Sequence, residues 1–131
     1  MEEVENMRVF YAEANYGEHE IEAAINVLKH SRLGLMCGEN VVALENRVAH
    51  LFRKDFGLMS NSGSSANLLG IKALNLPRGS KVITPSLTFS TTVAPLVQSD
   101  LIPYFVDIDI NTLQIDTDLL TKIDMTDVSA I

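Results

Sequence analysis

The sequence has no tryptophan, a single cysteine, four prolines and seven glycines in 131 residues, and aromatics make up only 6% of it. Cys37 alone closes no internal disulfide and stands in no metal-ligand spacing, which excludes disulfide scaffolds and cysteine-built zinc sites and suits a reducing compartment. Basic residues are also scarce, ten against seventeen acids for a net charge of −7. They are scattered, so a sequence-independent grip on nucleic acid, which needs clustered cations to displace counterions, is excluded as a function. No apolar run reaches the length that crosses a bilayer. The opening MEEVENMRVF puts acids where a secretory leader needs a basic start and an apolar stretch. The expectation is a cytoplasmic protein without a membrane partner. Hydrophobic residues, by contrast, reach 47%, ample for a packed core in a chain about one domain long.

From Glu18 to His30, Ile21, Ala24, Ile25 and Leu28 recur at helical spacing, with acids at the start and Lys29 and His30 at the end to complement the dipole. Ser31 to Asn40, which contains Gly34 and Gly38, reads as a loop. Val41, Leu44, Val48, Leu51 and Phe52 mark a second helix, closed by Arg53, Lys54 and Asp55. A strand at Phe56 to Met59, a serine-rich turn and a helix from about Ser65 to Leu74 follow. Pro77, Arg78 and Gly79 turn the chain into a strand at Lys81 to Thr84, a helix at Ser90 to Gln98 and a third strand at Ile102 to Val106. A helix at Thr117 to Ile123 and the onset of a further buried strand at Val128 complete the pattern.

Strands and helices alternating at this spacing predict parallel pairing through right-handed crossovers, hence a mostly parallel sheet flanked by helices, an α/β fold. Residues 1–55 read as an N-terminal helical segment and residues 56–131 as the start of an α/β domain. So few strands leave that domain incomplete, and the expectation is the N-terminal part of a longer polypeptide. An apolar face left open would make the 131 residues prone to aggregate alone.

The stretch SNSGSSANLLGIKAL, Ser60 to Leu74, concentrates serines at the mouth of an otherwise apolar helix. In an α/β sheet, ligands sit at the carboxyl ends of the strands, and a helix that starts there offers unpaired amides and the positive end of its dipole. Gly63 lets the backbone approach an anion, and Ser64 and Ser65 add hydroxyls, so a phosphate fits. The competing reading is a cap by Ser62 or Ser64. The turn lacks both the Gly-Lys-Ser/Thr ending of a Walker loop and the glycine spacing of a dinucleotide site. VITPSLTFSTTVAP places Pro85 to Thr92 at the same edge, where Phe89 either stacks on a flat heterocycle or plugs the helix against the sheet.

EIEAAINVL after Gly17, Gly38 with the helix carrying Leu44 and Glu45, NSGSSANLL, KVITPSLTFSTTVAPLVQ and LIPYFVDIDINTLQID together resemble the DegT/DnrJ/EryC1/StrS family of pyridoxal-phosphate-dependent sugar aminotransferases, which has the type I aminotransferase fold. The resemblance implies that Gly63, Ser64 and Ser65 hold the phosphate of pyridoxal 5'-phosphate and that Phe89 stacks on its pyridine ring. It implies transfer of an amino group, usually from glutamate, to a nucleotide-linked keto sugar by a homodimer whose active site is assembled across the dimer interface.

Asn67 stands where many relatives carry an apolar residue, and the SGSSAN form is similar to the branch of dehydrases acting on 4-keto-6-deoxy nucleotide sugars. The alternatives to transamination are therefore such a dehydrase, with histidine in place of the lysine, or a relative without catalysis. The Schiff-base lysine and the acid that pairs with the pyridine nitrogen lie downstream in relatives. Lys29, Lys54, Lys72, Lys81 and Lys122 match no family lysine, so no catalytic residue is assigned in this chain, and the fragment alone is expected to be inactive.

The remaining candidates read plainly. His19, His30 and His50 have no spacing for a metal or a nucleophile-base pair, and no metal site is expected. Asp107 and Asp109 follow a strand and read as turn residues rather than paired catalytic carboxylates. Asp116 reads as a cap, and Met36 and Met59 as core filling. The Gly34 to Asn40 loop either approaches substrate or a partner subunit, or simply joins two helices.

Overall fold

The computed structural model describes residues 9–131, so the acidic opening at 1–8 lies outside the described residues. The described chain divides into two compact units, with the boundary between Leu58 and Met59.

The first unit carries two helices, α1 (Glu18–His30) and α2 (Glu39–Leu51). Helix α1 opens where the Glu20 carboxylate accepts the Gly17 N–H at 2.7 Å, an interaction that holds the Glu20 carboxyl below its usual range. It closes at His30, whose ring nitrogen meets the Asn26 side-chain oxygen at 2.8 Å, a local role for that histidine. The turn between the helices is tight because a Cβ on Gly38 would collide with the Gly34 carbonyl. Gly57 returns against α2 as closely: a Cβ there would stand 2.5 Å from the Glu45 carbonyl oxygen, and a backbone group cannot move aside cheaply. Met36, expected in a core, is exposed at the tip of the loop, and Met59 is also partly exposed.

The second unit contains α3 (Gly63–Ala73), β1 (Lys81–Pro85), α4 (Ser90–Gln98), β2 (Ile102–Val106), α5 (Thr117–Leu120) and β3 (Val128–Ala130). The three strands form one parallel sheet in the order β2-β1-β3, with Lys81 opposite Ile102 and Pro85 opposite Val106. Pro103 has no N–H to give a ladder, which suits the edge position of β2. The central strand β1 is buried at Val82, Ile83 and Thr84. Val82 packs with Leu96 and Leu101, and Ile71, Leu76 and Ala130 close around them. Helices α3 and α4 pack on each other, and α4 packs on β2. This is the α/β architecture that the sequence predicts.

Three elements differ from the sequence reading. Phe56 to Met59 is not a strand. Its apolar residues have the propensity, but a strand exists only in a ladder, and the sheet order places no neighbour beside this segment among the described residues. Helix α3 begins at Gly63 rather than Ser65, because Ser62 adopts the extended backbone of a cap. Helix α5 stops at Leu120 instead of Ile123. Beyond it Asp124 caps a separate short turn at Met125–Asp127: its carboxylate accepts the Thr126 hydroxyl and N–H, which holds it below its usual range.

Candidate functional site

The serine turn resolves atom by atom. Ser62 has φ −163° and ψ 159°, and its Oγ accepts the Ser65 N–H at 3.1 Å. Its carbonyl accepts the Ala66 N–H at 3.0 Å, the first bond of the helix, and also the Ser60 hydroxyl at 2.9 Å. Ser62 is therefore the cap, and one of the three amides implied to hold phosphate is taken. The Gly63 and Ser64 N–H groups donate to no described residue. Ser62 also hydrogen-bonds the Ser65 hydroxyl at 3.2 Å, which leaves the Ser64 hydroxyl as the one beside the free amides that is not engaged in the cap.

An anion placed there meets favourable surroundings. The first turn of α3 holds no acidic side chain, and the 11-residue helix presents its positive end. Among the described residues nothing demands Gly63: a Cβ on it would meet none of them within 4 Å, and its φ is outside the left-handed region. The open approach, the two unpaired amides and the free hydroxyl together fit a phosphate.

The second half of the site lies after β1. The Ser86 N–H donates to the Val106 carbonyl at 2.8 Å and the Ser86 hydroxyl to the Asp107 carboxylate at 3.0 Å, which pins this loop to the carboxyl end of β2. The same carboxylate accepts the Ile108 N–H, while Asp109 accepts the Asn111 N–H at 2.7 Å. Both aspartates thus hold turns, as their spacing predicts. Asp116 caps α5 by accepting the Asp118 and Leu119 N–H groups. Phe89 is the residue before α4, with extended backbone, and its ring is 72% exposed, so it does not plug helix against sheet.

The structure brings Ser64 and Ser65 together with Thr91, Ala94 and Pro95 in one cleft of about 200 Å³ between α3 and α4. The free amides and the exposed ring therefore stand at the amino ends of two helices packed side by side. One further contact was not anticipated from the sequence: the Asn67 side-chain amide donates to the Thr91 carbonyl at 3.4 Å. Pro95 in the middle of STTVAPLVQ is the signal that could have found it, since a proline four residues on leaves one carbonyl without its helical donor. Among the described residues no cluster of three or more histidine, cysteine or acidic side chains could hold a metal, and no helix is long and apolar enough to cross a membrane.

A parallel sheet flanked by helices, with unpaired amides and an exposed aromatic at the starts of two adjacent helices, defines an α/β protein with a candidate anion site. Its fold class, that of the pyridoxal-phosphate-dependent aminotransferases, is given by comparison with known proteins. The chain belongs to the DegT/DnrJ/EryC1/StrS aminotransferase family, whose model matches residues 15–128. It is 40% identical over 117 residues to GDP-4-keto-6-deoxy-D-mannose 3-dehydratase of Escherichia coli O55:H7, covering 85% of this chain and 30% of that protein. It is 36% identical over 100 residues to dTDP-4-dehydro-2,6-dideoxy-D-glucose 3-dehydratase of Saccharopolyspora spinosa, covering 70% of this chain and 20% of that one. Among solved structures, an E. coli GDP-4-keto-6-deoxy-D-mannose-3-dehydratase with bound hydrated PLP superposes with a TM-score of 0.80 at 37% identity, over 88% of this chain and 31% of that one. The chain thus spans less than a third of the length of these relatives.

Proposed function

We propose that the full-length protein is a pyridoxal-phosphate-dependent 3-dehydratase acting on a nucleotide-linked 4-keto-6-deoxy sugar. The observation that carries this reading is the 40% identity to the Escherichia coli dehydratase across most of the chain. The SGSSAN form of the turn supports it. Transamination, the leading expectation from the family resemblance, is the second reading, favoured by the aminotransferase family to which the chain belongs.

In this proposal the Gly63 and Ser64 amides and the Ser64 hydroxyl take the cofactor phosphate. Phe89 would offer its exposed ring as a stacking surface for the cofactor's pyridine and so help to orient it. When bound, the cofactor supplies an electron sink for bond cleavage at the sugar and a carrier for the amino group. These residues bind and orient; none of them moves a proton. The partners of the reaction are the nucleotide sugar and an amino donor such as glutamate.

The two readings differ in their products. With GDP-4-keto-6-deoxymannose, pyridoxal phosphate and glutamate, the dehydratase reading predicts a sugar that keeps its ketone and has lost the C3 oxygen, with 2-oxoglutarate and ammonia released in equal amounts. A sugar aminated at C4 with its C3 hydroxyl intact, and no free ammonia, would establish transamination instead. A protein that binds cofactor and turns over no keto sugar would overturn both readings.

A further inference from the structure

The Thr91 carbonyl sits in the first turn of α4, and its helical donor four residues on is Pro95, which has no N–H. A carbonyl in that position is normally paired within the helix, and Thr91 is half-buried, so a protein donor there adds the net worth of one hydrogen bond. The donor that reaches it comes from the neighbouring helix: Asn67, in the second turn of α3. Pro95 is buried and lines the α3–α4 cleft, and because it has no N–H the missing bond is a fixed feature of α4. We propose that Asn67 is a positioning residue that supplies the hydrogen bond Pro95 withholds, locking α3 to α4 so that the free amides of Gly63 and Ser64 and the ring of Phe89 address the same bound molecule. The lock itself stands on this geometry, whereas its consequence for the cofactor rests on the function proposed above.

Two arrangements at one carbonyl compete here. With proline at 95, the Thr91 oxygen is available to Asn67; with alanine, the helix itself supplies an N–H to that oxygen and the inter-helix bond loses its purpose. Asn67 is exposed, so Asn67→Leu removes the donor without forcing a core rearrangement.

The test is a double-mutant cycle on the full-length protein with Asn67→Leu, Pro95→Ala and the pair. Denaturant unfolding of the cofactor-free protein is expected to show Asn67→Leu lowering the folding equilibrium constant by about three- to tenfold, the worth of one hydrogen bond. In the Pro95→Ala background the same change is expected to cost less than about twofold. Pyridoxal phosphate affinity should follow the same pattern, and the visible circular dichroism of the bound cofactor, compared at equal occupancy, should fall in Asn67→Leu and recover in the pair. Equal losses in both backgrounds would overturn the lock. Normal coupling in the unfolding cycle with unchanged dichroism would overturn the positioning role. Failure of the unsubstituted protein to bind cofactor would sink the functional reading, while the unfolding cycle would still decide the lock. Should Pro95→Ala not fold, Asn67→Asp, of the same shape without the N–H, must reproduce the loss of Asn67→Leu; stability and dichroism like the unsubstituted protein would refute the proposal.

Discussion

Replacing Gly63 with valine is expected to weaken pyridoxal phosphate binding by about a hundredfold, the scale of two charge-assisted hydrogen bonds screened from their anion. The same change is expected to leave the thermal midpoint of the cofactor-free protein almost where it was. The two halves of this expectation come from one observation. A side chain at position 63 enters space that the described residues leave open, so it strikes none of them, and the backbone there is not in a conformation reserved for glycine. The cost therefore appears only when an anion must approach the Gly63 and Ser64 N–H groups. Pyridoxal, which lacks the phosphate, provides the control, and its weak binding should be nearly the same in both proteins. Isothermal titration with the two compounds measures this directly. If valine weakened both equally, or lowered the melting temperature by several degrees, Gly63 would be a structural glycine.

The second large effect concerns Phe89. Its ring is mostly exposed, so Phe89→Ala should change folding stability by no more than about half a kcal/mol, as for an ordinary surface substitution. Loss of the stacking partner should nevertheless cost roughly tenfold in cofactor affinity. Phe89→Tyr or Phe89→Trp should restore most of it, because either ring offers a similar face. Pyridoxal without phosphate should suffer alongside the phosphorylated compound, the opposite of the pattern at Gly63. A marked fall in stability with Phe89→Ala would show that the ring serves packing instead.

Much of the architecture could be read from local chemistry. Ile102 to Val106 emerges as a strand at the expected limits because its branched and aromatic residues sit between clear turns. Ser90 to Gln98 emerges as a helix despite Pro95, which falls beyond the first turn, and the carbonyl that Pro95 leaves meets the Asn67 amide of the neighbouring helix. What could not be read depends on partners distant in sequence. Phe56 to Met59 has strand composition, yet strand formation belongs to a pair. The choice between Ser62 and Ser64 as cap turns on one residue's backbone angles, and composition is blind to these in a run of serines. The end of α5 was set by competition, since Asp124 draws the following backbone into its own turn.

The candidate site shows the same division. Gly63, Ser64 and Phe89 were legible as residue types at the carboxyl edge of a sheet, and the capping of the Ser65 amide was not. The Asn67 contact was invisible because its acceptor lies 24 residues away on another helix. Reaction outcome was less legible still, for a physical reason: anchoring a phosphate is common to the transaminase and the dehydratase. The residues that would anchor the phosphate take no part in that difference, and the sequence hint toward the dehydratase is the SGSSAN form of the turn.

The most direct measurement is a heteronuclear NMR titration of the full-length protein labelled with 15N at glycine and serine, with Gly63 and Ser64 assigned by substitution. Hydrogen bonding to the cofactor phosphate should move both amide protons far downfield as pyridoxal phosphate is added, with Ser65, already bonded to Ser62, moving much less. Saturation with the cofactor while the Gly63 and Ser64 resonances stay in place would contradict the assignment of this helix end as the phosphate site.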